Sequence, residues 1–311
     1  MNEFALIEAL KRKIPCSPQV PVGMGDDAAV LNVSKDKQLV VSTDAIVENV
    51  DFRIKELPPA KVGRKSLAIN LSDMAAMGAK PTAFVITIGK PSYMSSQWLM
   101  RFYNGLLAIA KEYDVHCIGG DFSKSKEFFA SITILGEVSS HQTVIRSGAM
   151  VGDWIAVTGA LGGSLLRHHY DFTPRVHEGI YLAENFTPTA MIDISDGLCQ
   201  DLGHILKASG VGACLDLAEI PISKGSMKMS SGNREKALKR ALSDGEDFEL
   251  LFTLPPWQKV MLERSWKKKF PKVPLTWIGR VEGKKPQIRW LRDGKQVMGP
   301  GLLRKGYVHF K

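Results

Sequence analysis

The sequence predicts a chain of two domains, each mixing helices and strands. Three observations carry that expectation. The 311 residues exceed one ordinary core. Strand-sized apolar runs recur with helical stretches between them. A polar stretch at residues 139–143 breaks the pattern near the middle, which divides the chain into domains at 1–140 and 141–311.

Taken in order, residues 1–13 alternate charged and apolar side chains and read as a short amphipathic helix. They lack the unbroken apolar core of a signal peptide. Gly23 and Gly25 then allow a tight turn, and Asp26-Asp27 lead into an apolar strand ending near Leu31. Residues 38–44 form a strand that ends Ser42-Thr43-Asp44. The next helix, dense in good formers from Lys65, stops at Gly78 with Pro81 just beyond. Its spacing puts Ser66, Asn70, Asp73 and Met77 on one face. Asp73 thereby sits among apolar neighbours, where a carboxylate calls for a positive partner. A salt bridge to Lys65 or Arg64 is the plain reading. A strand over 82–88, a helix over 95–113, a strand over 115–118 that ends in Gly119-Gly120-Asp121, and a strand over 129–138 complete the first domain.

In the second half, Arg146-Ser-Gly-Ala149 precedes a strand over 154–158 and the turn Gly159-Ala-Leu-Gly162-Gly163-Ser164. This turn is either an ordinary tight connection or a strand-loop-helix anion cradle built from backbone amides. It is not a P-loop, because G-x-x-x-x-G-K-[ST] is absent from the chain. Asp193-Ile-Ser195-Asp196-Gly197 stands immediately before a helix over 198–209. A helix N-cap explains one of its acids but not both. Strands follow at 212–217 and 248–253, the latter preceded by Asp244-Gly245-Glu246-Asp247, with short strands near 277–279 and 288–290.

The formal net charge of +9 is concentrated in the last third and reads as a solvated basic face. No aromatic-basic nucleic-acid module and no apolar run of membrane-spanning length is present, so neither nucleic acid nor membrane is an expected partner. The four cysteines are scattered, which argues against a zinc or disulfide framework and for a reducing, cytoplasmic setting.

Asp26, Asp27, Asp44, Asp73, Asp121, Asp193 and Asp196 share one pattern, an apolar run followed by a carboxylate near glycine or serine. Either each acid caps its own turn, or several from both halves converge on cations. Converging carboxylates cannot all stay ionised unaided. Oxygen ligands without a His or Cys cluster suit Mg²⁺, Mn²⁺ or Ca²⁺, and Mg²⁺ commonly joins a few carboxylates to phosphates. No G-x-S-x-G or H-E-x-x-H motif offers other chemistry. His168-His169 reads as a polar helix end, and His204 as a packed or surface histidine.

The ordered set Gly25-Asp26-Asp27-Ala28-Ala29, Ser42-Thr43-Asp44, Asn70 to Ala79, Gly119-Gly120-Asp121, Arg146 to Ala149, Asp193 to Gly197 and Asp244 to Thr253 closely resembles the thiamine-monophosphate kinases of the aminoimidazole-ribonucleotide-synthetase superfamily. The resemblance runs over nearly the whole chain. It implies an α+β fold: an N-terminal mixed α/β domain whose sheet dimerises and which binds ATP and Mg²⁺, followed by a C-terminal α/β domain that completes the phosphate and substrate site. It also implies ATP-dependent phosphorylation of thiamine monophosphate by a homodimer.

By motif position, Asp27, Ser42, Thr43, Asp44, Asp73, Asp121, Asp193 and Asp196 would hold several Mg²⁺ ions. Tyr103, Gly120, Asp121, Arg146 and Ser195 would contact ATP, and Asp51, Glu246 and Tyr307 would face thiamine monophosphate. Asp121, Arg146 and Asp196 would support the transfer itself. Three positions depart from the family pattern: Asp51 stands where histidine is usual, Phe122-Ser123 where Thr-Thr is usual, and Asp244 where glycine is commoner. Two alternatives follow, a superfamily relative acting on another small phosphate acceptor and a nucleotide-binding homologue without catalysis.

Overall fold

The computed structural model describes Lys13, residues 34–292 and residues 294–297. Asp26, Asp27, Cys16, Tyr307 and the expected N-terminal helix lie outside the described residues. The chain divides into two compact units, one of residues up to 74 with 79–141, the other of 75–78 with the residues from 142 onward.

Among the described residues, the first unit is a four-stranded sheet covered by two helices. In chain order it contains β1 (Lys37–Val47), α1 (Pro59–Ala76), β2 (Lys80–Lys90), α2 (Ser96–Glu112), β3 (His116–Lys124) and β4 (Phe129–Ser139). The strands lie in the order β1-β4-β2-β3, with only β2 and β3 parallel. Ser95 caps α2 through its hydroxyl, which accepts from Trp98 N at 3.1 Å. Phe84, Phe102 and Phe128 form the core between α2 and the sheet. The two helices touch closely at Gly63 and Gly105, where a Cβ would collide with the main chain of Phe102 and Ala60.

The second unit carries a seven-stranded sheet, built from β5 (Trp154–Thr158), β6 (Ala190–Asp193), β7 (Gly212–Asp216), β8 (Leu250–Leu254), β9 (Leu275–Glu282), β10 (Ile288–Arg292) and β11 (Lys295–Val297). Their order is β11-β10-β7-β9-β5-β8-β6, and β10 with β7 is the parallel pair. The helices are α3 (His168–Asp171), α4 (Val176–Asn185), α5 (Leu198–Ser209), α6 (Lys224–Met229), α7 (Arg234–Ser243) and α8 (Lys259–Lys269). A continuous apolar core joins Ile155, Ile192, Leu202, Ile205, Leu251 and Ile278.

Two local expectations are corrected, and one alternative is decided. Gly119-Gly120-Asp121 lies inside β3 rather than after it, because parallel pairing with β2 resumes beyond a bulge at Phe84/Val85 and carries the strand to Lys124. Gly120 faces the Ile86 carbonyl too closely for any side chain. The last central strand starts at Leu250, not Phe248, because Phe248 takes φ 51°. The 159–164 turn enters a short 3₁₀ segment, Ser164–Leu166, so no helix N-terminus stands there to receive an anion.

Candidate active site

In the first unit, strand alternation sorts the expected metal ligands by face. Ser42 and Asp44 point toward α1. The Ser42 hydroxyl donates to Asp73 Oδ2, and Asp44 N donates to Asn70 Oδ1 at 3.1 Å. Two residues one helical turn apart on α1 thus fasten to two alternate residues of β1, and they bring Asp44 and Asp73 into one polar cluster. Thr43 faces the other side, where its hydroxyl donates to Ile132 O at 3.0 Å and accepts from Thr133 at 3.2 Å. Its side chain is therefore apart from Ser42 and Asp44.

Asp121 does not join this cluster. It pairs with Thr87 on the helix-free face of the sheet and is exposed, with Ser123 Oγ donating to it at 3.3 Å. Strands β1 and β3 are the two edges of the sheet, so about 14 Å of sheet separates Asp121 from Asp44. Among the described residues, Asp44 and Asp73 thus lie together and Asp121 stands apart from them.

Tyr103 is buried against Phe102 and Phe122, and burial raises its hydroxyl pKa above the ordinary value. Asp51 is engaged locally: its carboxylate accepts from Val47 N at 2.7 Å, and Lys65 Nζ donates to its main-chain oxygen at 3.3 Å.

In the second unit Asp193, Ser195, Asp196 and Glu246 lie together. Strand β6 ends at buried Asp193, and the turn Ile194–Gly197 leads into α5. Gly197 adopts φ 107° beside the carbonyls of Ser243 and Asp244, a conformation and closeness that suit glycine. Glu246 N donates to Ser195 O at 2.7 Å, and Phe248 N donates to Ile194 O at 2.8 Å. These bonds hold Glu246 beside Ser195 and Asp196, with Glu246 itself at φ 61°. Glu246 also lies 3.6 Å from His169 Nδ1. Arg146 is exposed next to Ile145, whose carbonyl accepts from Met191 N at 3.0 Å, so it runs beside the edge strand that ends at Asp193.

Asp201 is the residue that the motif reading missed. Its carboxylate accepts from Asp196 N at 3.0 Å, and with Asp196 and His204 it forms a group whose ligating atoms lie within 4.8 Å of one another. Burial, then the charges of Asp193 and Asp196, push its pKa up to about 8. Periodicity held the clue, since Asp201 falls on the apolar stripe of Leu198, Leu202 and Ile205. Crowded carboxylates that favour a proton are also a setting that a hard divalent cation relieves, so the oxygen donors present fit Mg²⁺.

The glycine turn behaves differently. Gly162 N donates to both carboxylate oxygens of Asp247 at 2.9 Å, and Gly163 N donates to Asp244 Oδ2 at 3.2 Å. The amides of the supposed cradle are therefore occupied by the protein's own acids. The ordinary-connection reading holds, and Asp244, one of the departures from the family pattern, is part of that closure.

The residues from 25 to 138 match the family model described as AIR synthase related protein, N-terminal domain. Over 99% of the chain and 97% of the relative, the sequence is 41% identical to the thiamine-monophosphate kinase of Rhodopirellula baltica. The chain belongs to the thiamine-monophosphate kinase family. The crystal structure of thiamine-monophosphate kinase from Stenotrophomonas maltophilia superposes with a TM-score of 0.80 at 34% identity, covering 96% of this chain and 98% of that one. The structure of AaThiL complexed with AMPPCP and TMP matches with a TM-score of 0.68 at 30% identity, over 99% and 97% of the two chains. The family's fold agrees with the mixed helix-and-sheet units described above, as the motifs imply.

Proposed function

We propose that this chain transfers a phosphoryl group from ATP to thiamine monophosphate, forming thiamine diphosphate. Identity of 41% along essentially the full length of a thiamine-monophosphate kinase carries the reading. The ordered acids add a physical reason. The acceptor is a phosphate monoester whose second pKa lies near ~6, so its attacking oxygen is mostly deprotonated at neutral pH. A general base is then unnecessary, and the task is to bring two polyanions together for an in-line displacement. Bound Mg²⁺ would supply charge neutralisation and stabilise the developing negative charge.

The chain's own residues divide that work. Asp44 and Asp73 in the first unit, with Ser42 orienting Asp73, would hold metal, and Asp193 and Asp196 would do so in the second. Asp201 anchors the main chain of Asp196 and so fixes where that carboxylate points. Ser195 and exposed Arg146 would bind ATP, and Glu246, held in register with Ser195, would face thiamine monophosphate.

The same reading includes a homodimer formed through the helix-free face of the first unit's sheet, in a cytoplasmic protein. Leu39 and Val41 are exposed on that face, and Val85 and Leu135 stand half-covered on it. Asp121 lies on the same face. Among the described residues, no helix is long and apolar enough to cross a membrane.

A coupled ADP-release assay with thiamine monophosphate, run with and without Mg²⁺, tests the activity. Metal-dependent turnover is expected. Folded protein that releases no ADP at any metal concentration would overturn the proposal.

A further inference from the structure

Net charge is distributed very unevenly along this chain. Residues 256–292 hold eleven Lys and Arg against two Glu, which accounts for the whole excess of +9. The remaining residues carry as many acids as bases. Part of the basic run is structural. Arg289 is clamped by Glu282, Arg292 pairs with Glu235, and Lys259 reaches Glu263 and covers the Trp154 ring. By contrast Arg264, Lys267, Lys268, Lys269 and Lys272 are exposed, and none has an acidic partner among the described residues.

Helix α8 organises these cations. Leu262 and Trp266 face the protein and are 0% and 2% exposed. The opposite face presents Trp257 just before the helix, then Val260 and Met261, at 73%, 55% and 51% exposure. At helical spacing this line continues into Arg264, Lys267 and Lys268. Lysines in the last turn favour the helix dipole. That accounts for neither Lys272 beyond the helix nor three large apolar side chains left in water.

We propose that the outer face of α8 docks this protein on an anionic lipid surface, reversibly and without spanning it. Apolar side chains with a Trp next to a lysine row match the two attractions such a surface offers, interfacial burial and headgroup charge. Nucleic acid would use the cations but offers no apolar surface for Val260 and Met261. A protein partner is a poorer match, since interfaces favour Arg over Lys, and this convex helix supplies cations that are Lys in all but one case. Lysine acts as a point charge on a flexible stem, which suits a diffuse anionic plane better than a fixed bidentate contact.

Vesicle flotation of the full chain tests this, using phosphatidylcholine alone and phosphatidylcholine mixed with phosphatidylglycerol in equal parts. Binding to the mixed vesicles is expected, with a loss of about tenfold or more on pure phosphatidylcholine and in the variant K267E/K268E/K269E. A comparable loss is expected for W257S/V260S/M261S, with ADP release retained by both variants as proof of folding. Equal partition into the two vesicle types would overturn the proposal. Binding to the mixed vesicles that W257S/V260S/M261S leaves intact would reduce the patch to a solvated basic face. Tighter binding to duplex DNA than to vesicles, also unmoved by that variant, would reassign it to nucleic acid.

Discussion

Two turns in the second unit follow strands and carry glycine, yet they do opposite things. In the 159–164 turn, Gly162 and Gly163 give their amides to the carboxyl groups of Asp247 and Asp244, so the acceptors that the loop meets are internal. In the 193–197 turn, Asp201 takes the Asp196 amide from the helix side, while Asp193 and Asp196 add carboxylates of their own. The first turn is electrostatically closed. The second gathers negative charge that only a cation or a proton offsets. On the proposed reading, phosphate recognition in this unit would rest on acids and metal rather than on the Gly162 and Gly163 amides.

The sharpest way to break this contrast is to neutralise one acid of each turn. D196N removes a proposed metal ligand while leaving the turn's backbone bonds intact. ADP release is expected to fall by about a hundredfold, with the urea midpoint nearly unchanged. D247A, in the other turn, should reverse that pattern. It leaves the buried Gly162 amide without an acceptor, which costs about 1–3 kcal/mol of stability, read from urea unfolding. If D247A lowered turnover as severely as D196N without loss of stability, the division between a structural turn and a catalytic one would fail.

A pH series refines the same pair. Burial holds the Asp247 carboxyl well above the ordinary carboxylate range. The folded chain thus keeps a proton that the unfolded chain has already released. Stability contributed by this group is full below the unfolded value of about 4 and declines as pH rises toward the folded pKa. D247N retains an acceptor for Gly162 and removes the titration. Its urea midpoint should fall less steeply than the parent's from pH 4 upward, and parallel profiles would show that Asp247 ionises normally in the folded chain.

Much of this site was legible because its chemistry is local in sequence. Asp193, Ser195 and Asp196 announced themselves by standing between an apolar strand and a helix. What sequence spacing did not reveal was pairing across distance. Asp247 sits 85 residues from the Gly162 amide it fills, and no periodicity links the two. Sequence pattern alone makes Asp121 a strand-end acid like Asp44, whereas sheet order puts them on opposite edges. Strand order is decided by long-range packing, which a single sequence expresses only weakly. Asp201 differs again: its place on an apolar stripe was readable, but only a search for acids at core positions would have raised it.

The smallest expected effect concerns the first unit, where alternation along β1 gives neighbouring hydroxyls different tasks. Ser42 donates to Asp73, whereas Thr43 bonds Ile132 and Thr133 across the opposite face. S42A should leave Asp73 less well oriented and raise the Mg²⁺ concentration for half-maximal turnover by about tenfold, as loss of a ligand's supporting bond commonly does. T43V keeps the backbone carbonyl and the β-branched shape that suits a strand, so its Mg²⁺ requirement should stay close to the parent's. The two substitutions remove one hydroxyl each from adjacent positions, so a difference between them isolates the face on which the metal is bound. Equal shifts in both variants would mean that the Thr43 side chain turns toward the ion, which the pairing of Thr43 with Thr133 in this sheet does not permit without breaking its bond to Ile132.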